Sequence, residues 1–290
     1  MDEAYRHCIR IARAHYENFP VLSRFLPRQM RPHVAAVYAF ARAADDDADE
    51  IGGDEGISRL DAKRERIIRK QFHGDPVFEA LGQTMTRFDL PPGPFLDLIS
   101  AFRQDCTKNR YATFPDVLDY CSRSANPVGR VVLMLSGLRD AKRFEQSDRI
   151  CTALQLINFW QDVRADHIQR DRIYIPQEDL NRFGVSEADI AQYGTPHAGA
   201  KFCELIRFES KRTAEILHEG LPLASTLPFR LRLPIALFAA GGMTILEQIR
   251  ADRPRPSLDD SGRRWRMGIN ALRILRPGNT AKFALAAAAT

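Results

Sequence analysis

The sequence predicts an all-α protein, and three observations support that class. Apolar residues recur three or four positions apart over most of the chain, the spacing that lines one face of a helix. No stretch alternates convincingly with period two, so a sheet is not expected. The main breaks fall between periodic stretches: Pro91-Pro92-Gly93-Pro94 separates two of them, and Pro76 and Pro115 stand near helix starts, where a missing N–H costs little.

The elements follow in order. A first helix is expected over residues 2–17, and its charges occupy the place where a secretion signal would need an apolar core. The next, over 31–50, ends in a run of acids. Helices over 57–71, 76–88, 93–105, 114–122 and 125–138 follow, then one over 146–165 with a second acidic stripe. Residues 166–195, holding Asp171, Pro176, Gly184 and Gly194, read as an irregular segment, and a loop that long is more often functional than not. Helices over 198–219 and 230–250 complete the pattern. Within the last, the nearly apolar run Leu233–Leu246 spans 14 residues and contains Pro234 and Gly241-Gly242. It falls short of the ~20 residues needed to cross a bilayer and reads as a buried, kinked helix. A length of 290 residues would suggest two domains at roughly 150 each. No linker or repeat divides the chain, so one helical domain is expected over 1–250, with a basic extension over 251–290 that begins helical.

Composition narrows the class. Hydrophobic residues at 44% and charged residues at 27% exclude a disordered or collagen-like chain. Cys8, Cys106, Cys121, Cys151 and Cys203 are scattered without a C-x-x-C pair, which argues against a zinc site and a disulfide framework and for a reducing cytoplasm. The seven histidines make no pair with metal-ligand spacing. Of the net charge of +5, the segment from Arg250 onward contributes nine Lys or Arg against three acids, which leaves residues 1–249 near −1. Such a tail suits weak, salt-sensitive contact with a membrane surface, at the inner face, or a solvated helix end. No nucleic-acid-binding module accompanies it, so a nucleic-acid partner is not expected.

Two acidic clusters carry the chemistry. The first runs Tyr38-Ala-Phe-Ala-Arg42-Ala-Ala-Asp45-Asp46-Asp47-Ala-Asp49-Glu50. On a helix Asp45 and Asp49 project side by side, with Arg42 one turn before them. Stacked carboxylates repel, and Mg²⁺, which takes one or two carboxylates plus substrate phosphates, answers that repulsion; a solvated helix end is the competing explanation. The second cluster places Asn158, Asp162 and Asp166 in one stripe, preceded by Gln155, on a helix whose other side offers Leu156, Ile157 and Val163 for packing. Carboxylates on so apolar a helix are costly without a cation or donor. Opposed stripes of this kind would form a clamp for two or three Mg²⁺ ions, able to turn a diphosphate into a leaving group. Arg42 and Arg172 are candidates for the remaining phosphate charge, because guanidinium binds phosphate bidentately.

The chain resembles the squalene and phytoene synthase family. The resemblance rests on Arg42-A-A-Asp45-Asp46-x-x-Asp49, on Gln155-x-x-Asn158-x-x-x-Asp162-x-x-x-Asp166, on Arg172-I-Tyr174-I-Pro176 and on Tyr120-C-S-R-S-A-N-P-Val128-Gly129, and covers roughly residues 15–250. Within the family, His15-Y-E-N-F-P-V-L-Ser23-R-F-L-P and the SANPVG variant most resemble the bacterial hopanoid-pathway branch that forms hydroxysqualene. The resemblance implies the isoprenoid synthase helical bundle around an apolar channel. It also implies an isoprenoid diphosphate substrate and metal binding at Asp45, Asp49, Asn158, Asp162 and Asp166. Substrate contacts would come from Ser23, Arg42, Asn126, Gln155 and Arg172, and catalytic roles would fall to Asp45, Asp49, Tyr38, Tyr120 and Tyr174. Aromatic faces stabilise a cation in a dry site, which favours these tyrosines and Phe159 over the channel-wall candidates Phe40, Val131, Leu135, Leu154, Ile157 and Phe238, each of which also reads as ordinary core.

The branch implies loss of diphosphate from presqualene diphosphate and quenching of the rearranged cation by water, with no NADPH. Its rivals are condensation of two prenyl diphosphates to presqualene diphosphate, squalene or phytoene, and a noncatalytic assembly or lipid-binding role; noncatalytic relatives tend to lose the Asp residues that this chain keeps. Two departures stand out. Asn126-Pro127 replaces the family's Ala-Gly, and Asp171 stands where relatives tend to have Gly, which leaves Arg170 and Arg172 both as candidates for the phosphate.

Overall fold

A computed structural model describes residues 2–14, 27–193, 199–250 and 274–275. Ser23 and nearly all of the basic extension lie outside the described residues. Among the described residues there are helices and no strand, only an isolated parallel bridge between Arg110 and Ile173. The expected all-α class is what the chain adopts. The described chain groups into two units, each built from two stretches: Met1–Thr107 with Arg123–Phe144, and Lys108–Ser122 with Glu145–Thr290.

The first unit holds α1 (Glu3–Ala14), α2 (Arg31–Asp46), a π-helical turn (Asp47–Ile51), α3 (Gly53–Ile68), α4 (Pro76–Phe88), α5 (Gly93–Asp105) and α7 (Asn126–Leu135), which follows α6 (Phe114–Ser124). α4 and α5 span the residues their periodicity predicts. Asp75 starts α4 by accepting hydrogen bonds from the Val77 and Phe78 amides at 2.7 and 3.2 Å, with Pro76 in the first turn. α1, α2 and α4 pack on one another, joined by a buried polar node in which Thr84 Oγ1 lies 3.0 Å from both the Tyr5 hydroxyl and His33 Nδ1. Phe40, fully buried, meets Phe78 and Phe95 edge to face at 5.7 Å, so this wall candidate is core of the first unit.

The second unit is organised on α8 (Ala141–Arg170), α11 (Ala200–Gly220) and α13 (Phe229–Arg250), with α9 (Gln177–Phe183), α10 (Glu187–Ala191) and α12 (Pro222–Thr226). α8 is longer than its periodicity predicts, because polar positions at both ends carry too little apolar signal to mark them. The segment expected to be irregular after Asp166 instead contains the end of α8 and two short helices. α10 is closed by a capping box, Ser186 with Asp189. Trp160 is fully buried and donates to Thr213 Oγ1 at 2.9 Å, fastening α8 to α11. α13 continues through Pro234 as one helix, and its Gly242 lies so near α8 that a Cβ there would stand 2.8 Å from Leu154 and 3.1 Å from Ile157. By length and composition Phe229–Ile249 reaches what a membrane span requires, but 56% of its most apolar window is buried within the protein. That burial fits the expectation of a core helix.

Candidate functional site

In the first unit the acidic run does not continue as regular α-helix. After Asp46 the backbone widens to a π turn, closed by the Gly52 amide donating to the Asp47 carbonyl at 3.0 Å. π turns inside helices are rare and frequent at functional sites. α3 packs directly on this turn: a Cβ on Gly56 would stand 2.5 Å from the Asp47 carbonyl oxygen, so only glycine lets α3 approach this closely. Asp47 is buried and ion-paired with Lys63, which gives it a structural task.

Asp45, Asp46 and Asp49 are only partly buried. Arg42 lies on the same face, its guanidinium 2.7 Å from Asp46 and 3.6 Å from Asp45. Asp45 keeps 36% of its side chain exposed but is densely surrounded. Burial, first, and then the negative charge of Asp49 push its carboxyl up to about 7; Asp105 and Asp46 add to this and Arg42 opposes it. Asp49 is thus the acid that acts most strongly on Asp45 across the change of helical pitch. Asp105, buried at the end of α5, is a member of this acidic group that the sequence does not single out. Its only signal is an acid at the last position of a helix. Tyr38 is half-buried on α2, and Asn126 is buried in the first turn of α7 beside Pro127.

In the second unit Gln155, Asn158, Asp162 and Asp166 are all half-buried along α8, while Leu156, Ile157, Phe159, Trp160 and Val163 are buried. These four amide and carboxylate side chains thus share a half-buried setting on α8 beside its packed positions. Arg170, one turn on, reaches Asp166 at 3.5 Å. Arg172 is only 8% exposed, so the two arginines left open by the sequence have different surroundings.

Tyr120 and Tyr174 meet in an aromatic cluster with Tyr111 and Phe159, all buried. Phe159 and Tyr174 are stacked at 3.7 Å; Tyr111 and Tyr120 each stand 5.5 Å from Tyr174 and 5.8 Å from one another. The sequence does not single out Tyr111, because neither a helix position nor a motif marks it. The turn leading to this cluster passes through Asp171 at φ 51°, a left-handed conformation. For a residue with a Cβ this costs roughly 1 kcal/mol or more, which explains why glycine suits this position and identifies Asp171 as a residue needing support.

The all-oxygen donor sets suit a hard divalent cation such as Mg²⁺, and the crowding at Asp45 is the kind of unbalanced negative charge such an ion relieves. A second grouping, His167, Asp171 and Glu187, is ruled by Arg110, which bonds both carboxylates.

Residues 12–268 match the squalene/phytoene synthase family. A hydroxysqualene synthase from Sinorhizobium fredii is 33% identical over 243 residues, covering 82% of this chain and 81% of the relative. A phytoene synthase from Mycobacterium tuberculosis is 32% identical over 231 residues, covering 79% and 76%. The crystal structure of squalene synthase HpnC from Alicyclobacillus acidocaldarius superposes with a TM-score of 0.77 at 39% identity, covering 87% of this chain and 95% of that one. With both acidic motifs in place on an isoprenoid synthase fold, this chain belongs to the squalene/phytoene synthase family.

Proposed function

We propose that residues 1–250 form a hydroxysqualene synthase, which converts presqualene diphosphate and water to hydroxysqualene and diphosphate. The observation that carries this reading is the 33% identity to a hydroxysqualene synthase over 243 residues, together with the retention of both acidic motifs. The crowded Asp45 carboxyl, pushed up to about 7 by burial and by the charges of Asp49, Asp105 and Asp46, is suited to exchange its proton for a cation. Asp45 and Asp49 in the first motif, and Asn158, Asp162 and Asp166 in the second, would hold two or three Mg²⁺ ions. Bound there, Mg²⁺ supplies charge neutralisation that makes diphosphate a leaving group.

The chain's own residues would do the rest. Arg172 and Arg42 bind the phosphate oxygens bidentately, with Gln155 beside them. The carbon–oxygen bond to diphosphate breaks with its electron pair going to the leaving group. Tyr38, Tyr120, Phe159 and Tyr174 present aromatic faces to the resulting cation and keep water from reaching it early. After rearrangement, a water oxygen forms the new carbon–oxygen bond and its proton leaves to solvent; Asn126 and Ser23 are candidates to orient that water. The balance requires no hydride, hence no NADPH. The reaction would take place in the cytoplasm, with peripheral contact at the inner membrane face through the basic extension over 251–290.

A second reading, condensation of two prenyl diphosphates, is favoured by the similarity to a phytoene synthase. Both readings need the same acidic residues, so product chemistry separates them. Purified protein with Mg²⁺ and presqualene diphosphate, without NADPH, is expected to yield a C30 alcohol by mass spectrometry. No turnover of presqualene diphosphate, with condensation of farnesyl or geranylgeranyl diphosphate instead, would replace the first reading with the second.

A further inference from the structure

Arg110 spans two stretches of the second unit that lie far apart in sequence. Residues 109–112 run beside residues 171–178: the Ile173 amide donates to the Asn109 carbonyl at 2.9 Å, and the Gln177 amide to the Tyr111 carbonyl at 2.8 Å. From this edge the Arg110 guanidinium grips Asp171 twice. Nη1 donates to the Asp171 carbonyl oxygen and Nη2 to Oδ1 at 2.7 Å, while Asn109 Nδ2 donates to Oδ2 at 2.9 Å. The other donors are also engaged: Nε and Nη2 reach the Glu187 carboxylate at 2.8 and 2.9 Å, and Nη1 the Asn109 carbonyl at 2.9 Å. A guanidinium offers five N–H groups, and these contacts use all of them within the protein. Arg110 is thus placed to hold structure and not to meet a phosphate.

What it holds is the turn at which the chain leaves α8. Asp171 and Arg172 close the helix, their amides donating to the His167 and Asp166 carbonyls at 3.1 Å, and the left-handed backbone of Asp171 then redirects the chain. Arg172 follows immediately and is buried, and Tyr174 follows into the ring cluster. Glycine would take this conformation unaided; aspartate is held in it by its partners.

We propose that Arg110 is a positioning residue for Arg172, clamping Asp171 in its left-handed conformation so that the Arg172 guanidinium is delivered ready-placed for a diphosphate. This rests on the reading of Arg172 as a diphosphate ligand, and the experiment separates the two. Binding of inorganic diphosphate in the presence of Mg²⁺ is measured by calorimetry for Arg110→Gln in the natural background and in an Asp171→Gly background, with thermal melting as the check on folding. Arg110→Gln is expected to weaken binding about tenfold in the natural background and less than about twofold in the Asp171→Gly background, since glycine needs no clamp. Arg110→Lys, which keeps the charge but not the fork, serves as the second variant should Arg110→Gln fail to fold, and is expected to show the same background dependence. Equal losses in both backgrounds, or no loss in either, overturn the positioning role. Arg172→Gln is the separate arm: undiminished diphosphate binding there overturns the assignment of Arg172 and the inference with it, whereas a loss there with equal Arg110 losses overturns the inference alone.

Discussion

Phe159 and Tyr174 lie face to face, their ring centroids 3.7 Å apart and their planes within 6° of parallel. One comes from the middle of α8 and the other from the segment after it, so the acidic stripe and the R-x-Y motif share a packed aromatic contact. Replacing Phe159 by Leu removes a π face while keeping a bulky apolar side chain. Turnover is expected to fall about tenfold with little change in KM, since a cation–π contribution of about 1–2 kcal/mol is made only once positive charge develops. Steady-state kinetics on the purified variant checks this, and an unchanged kcat would remove Phe159 from the cation's surroundings.

Asp162 occupies the centre of the oxygen stripe on α8. Asp162→Asn keeps the shape and removes the charge, and is expected to lower turnover about a hundredfold or more while leaving helix content by circular dichroism unchanged. Mg²⁺ should raise the melting temperature of the natural protein by mass action, and a chelator should abolish turnover. Full activity in Asp162→Asn would end the metal-binding assignment.

Glu209 on α11 is fully buried beside Asp179, and Arg212 bridges the two at 2.7 and 2.8 Å. Burial pushes the Glu209 carboxyl up from 4.5 to about 8; Asp179 adds to this and Arg212 opposes it. The folded protein therefore holds this proton more tightly than the unfolded chain does. Its contribution to stability is fully present below the unfolded value near 4.5 and is lost as pH rises toward 8. Melting temperature should fall as pH rises from about 4.5 to about 8, and Glu209→Gln, which cannot ionise, should flatten that fall. An identical pH profile in the variant would show that Glu209 does not titrate in this window.

Gly56→Ala tests the π turn. The added Cβ would meet the Asp47 carbonyl, a backbone atom, at 2.5 Å. α3 or the turn must shift, with an expected loss of about 1–3 kcal/mol by denaturant titration and weakened turnover from displacement of Asp45 and Asp49. A variant as stable and active as the natural protein would mean that the turn does not depend on this approach.

Much of the protein is legible locally. Helical periodicity determined the all-α class and gave α4 and α5 their residues, because burial of one helix face writes itself into spacing. The acidic stripe on α8 stood out because its residue types conflict with an apolar helix unless they serve a ligand, whereas the R-x-Y segment stood out through the family resemblance. The end of α8 and the short helices α9 and α10 were not legible, because their polar turns carry little periodicity. The tertiary structure alone decided which member of the acidic run is structural: Lys63 and the glycine contact of α3 claim Asp47, and Asp105 arrives from a different helix. It likewise brought Tyr111 to Tyr174 and Arg110 to Asp171 across about sixty residues of chain. Sequence spacing reports the face a residue takes on its own helix, whereas pairings between distant segments depend on how those faces close on one another, and no local pattern contains them.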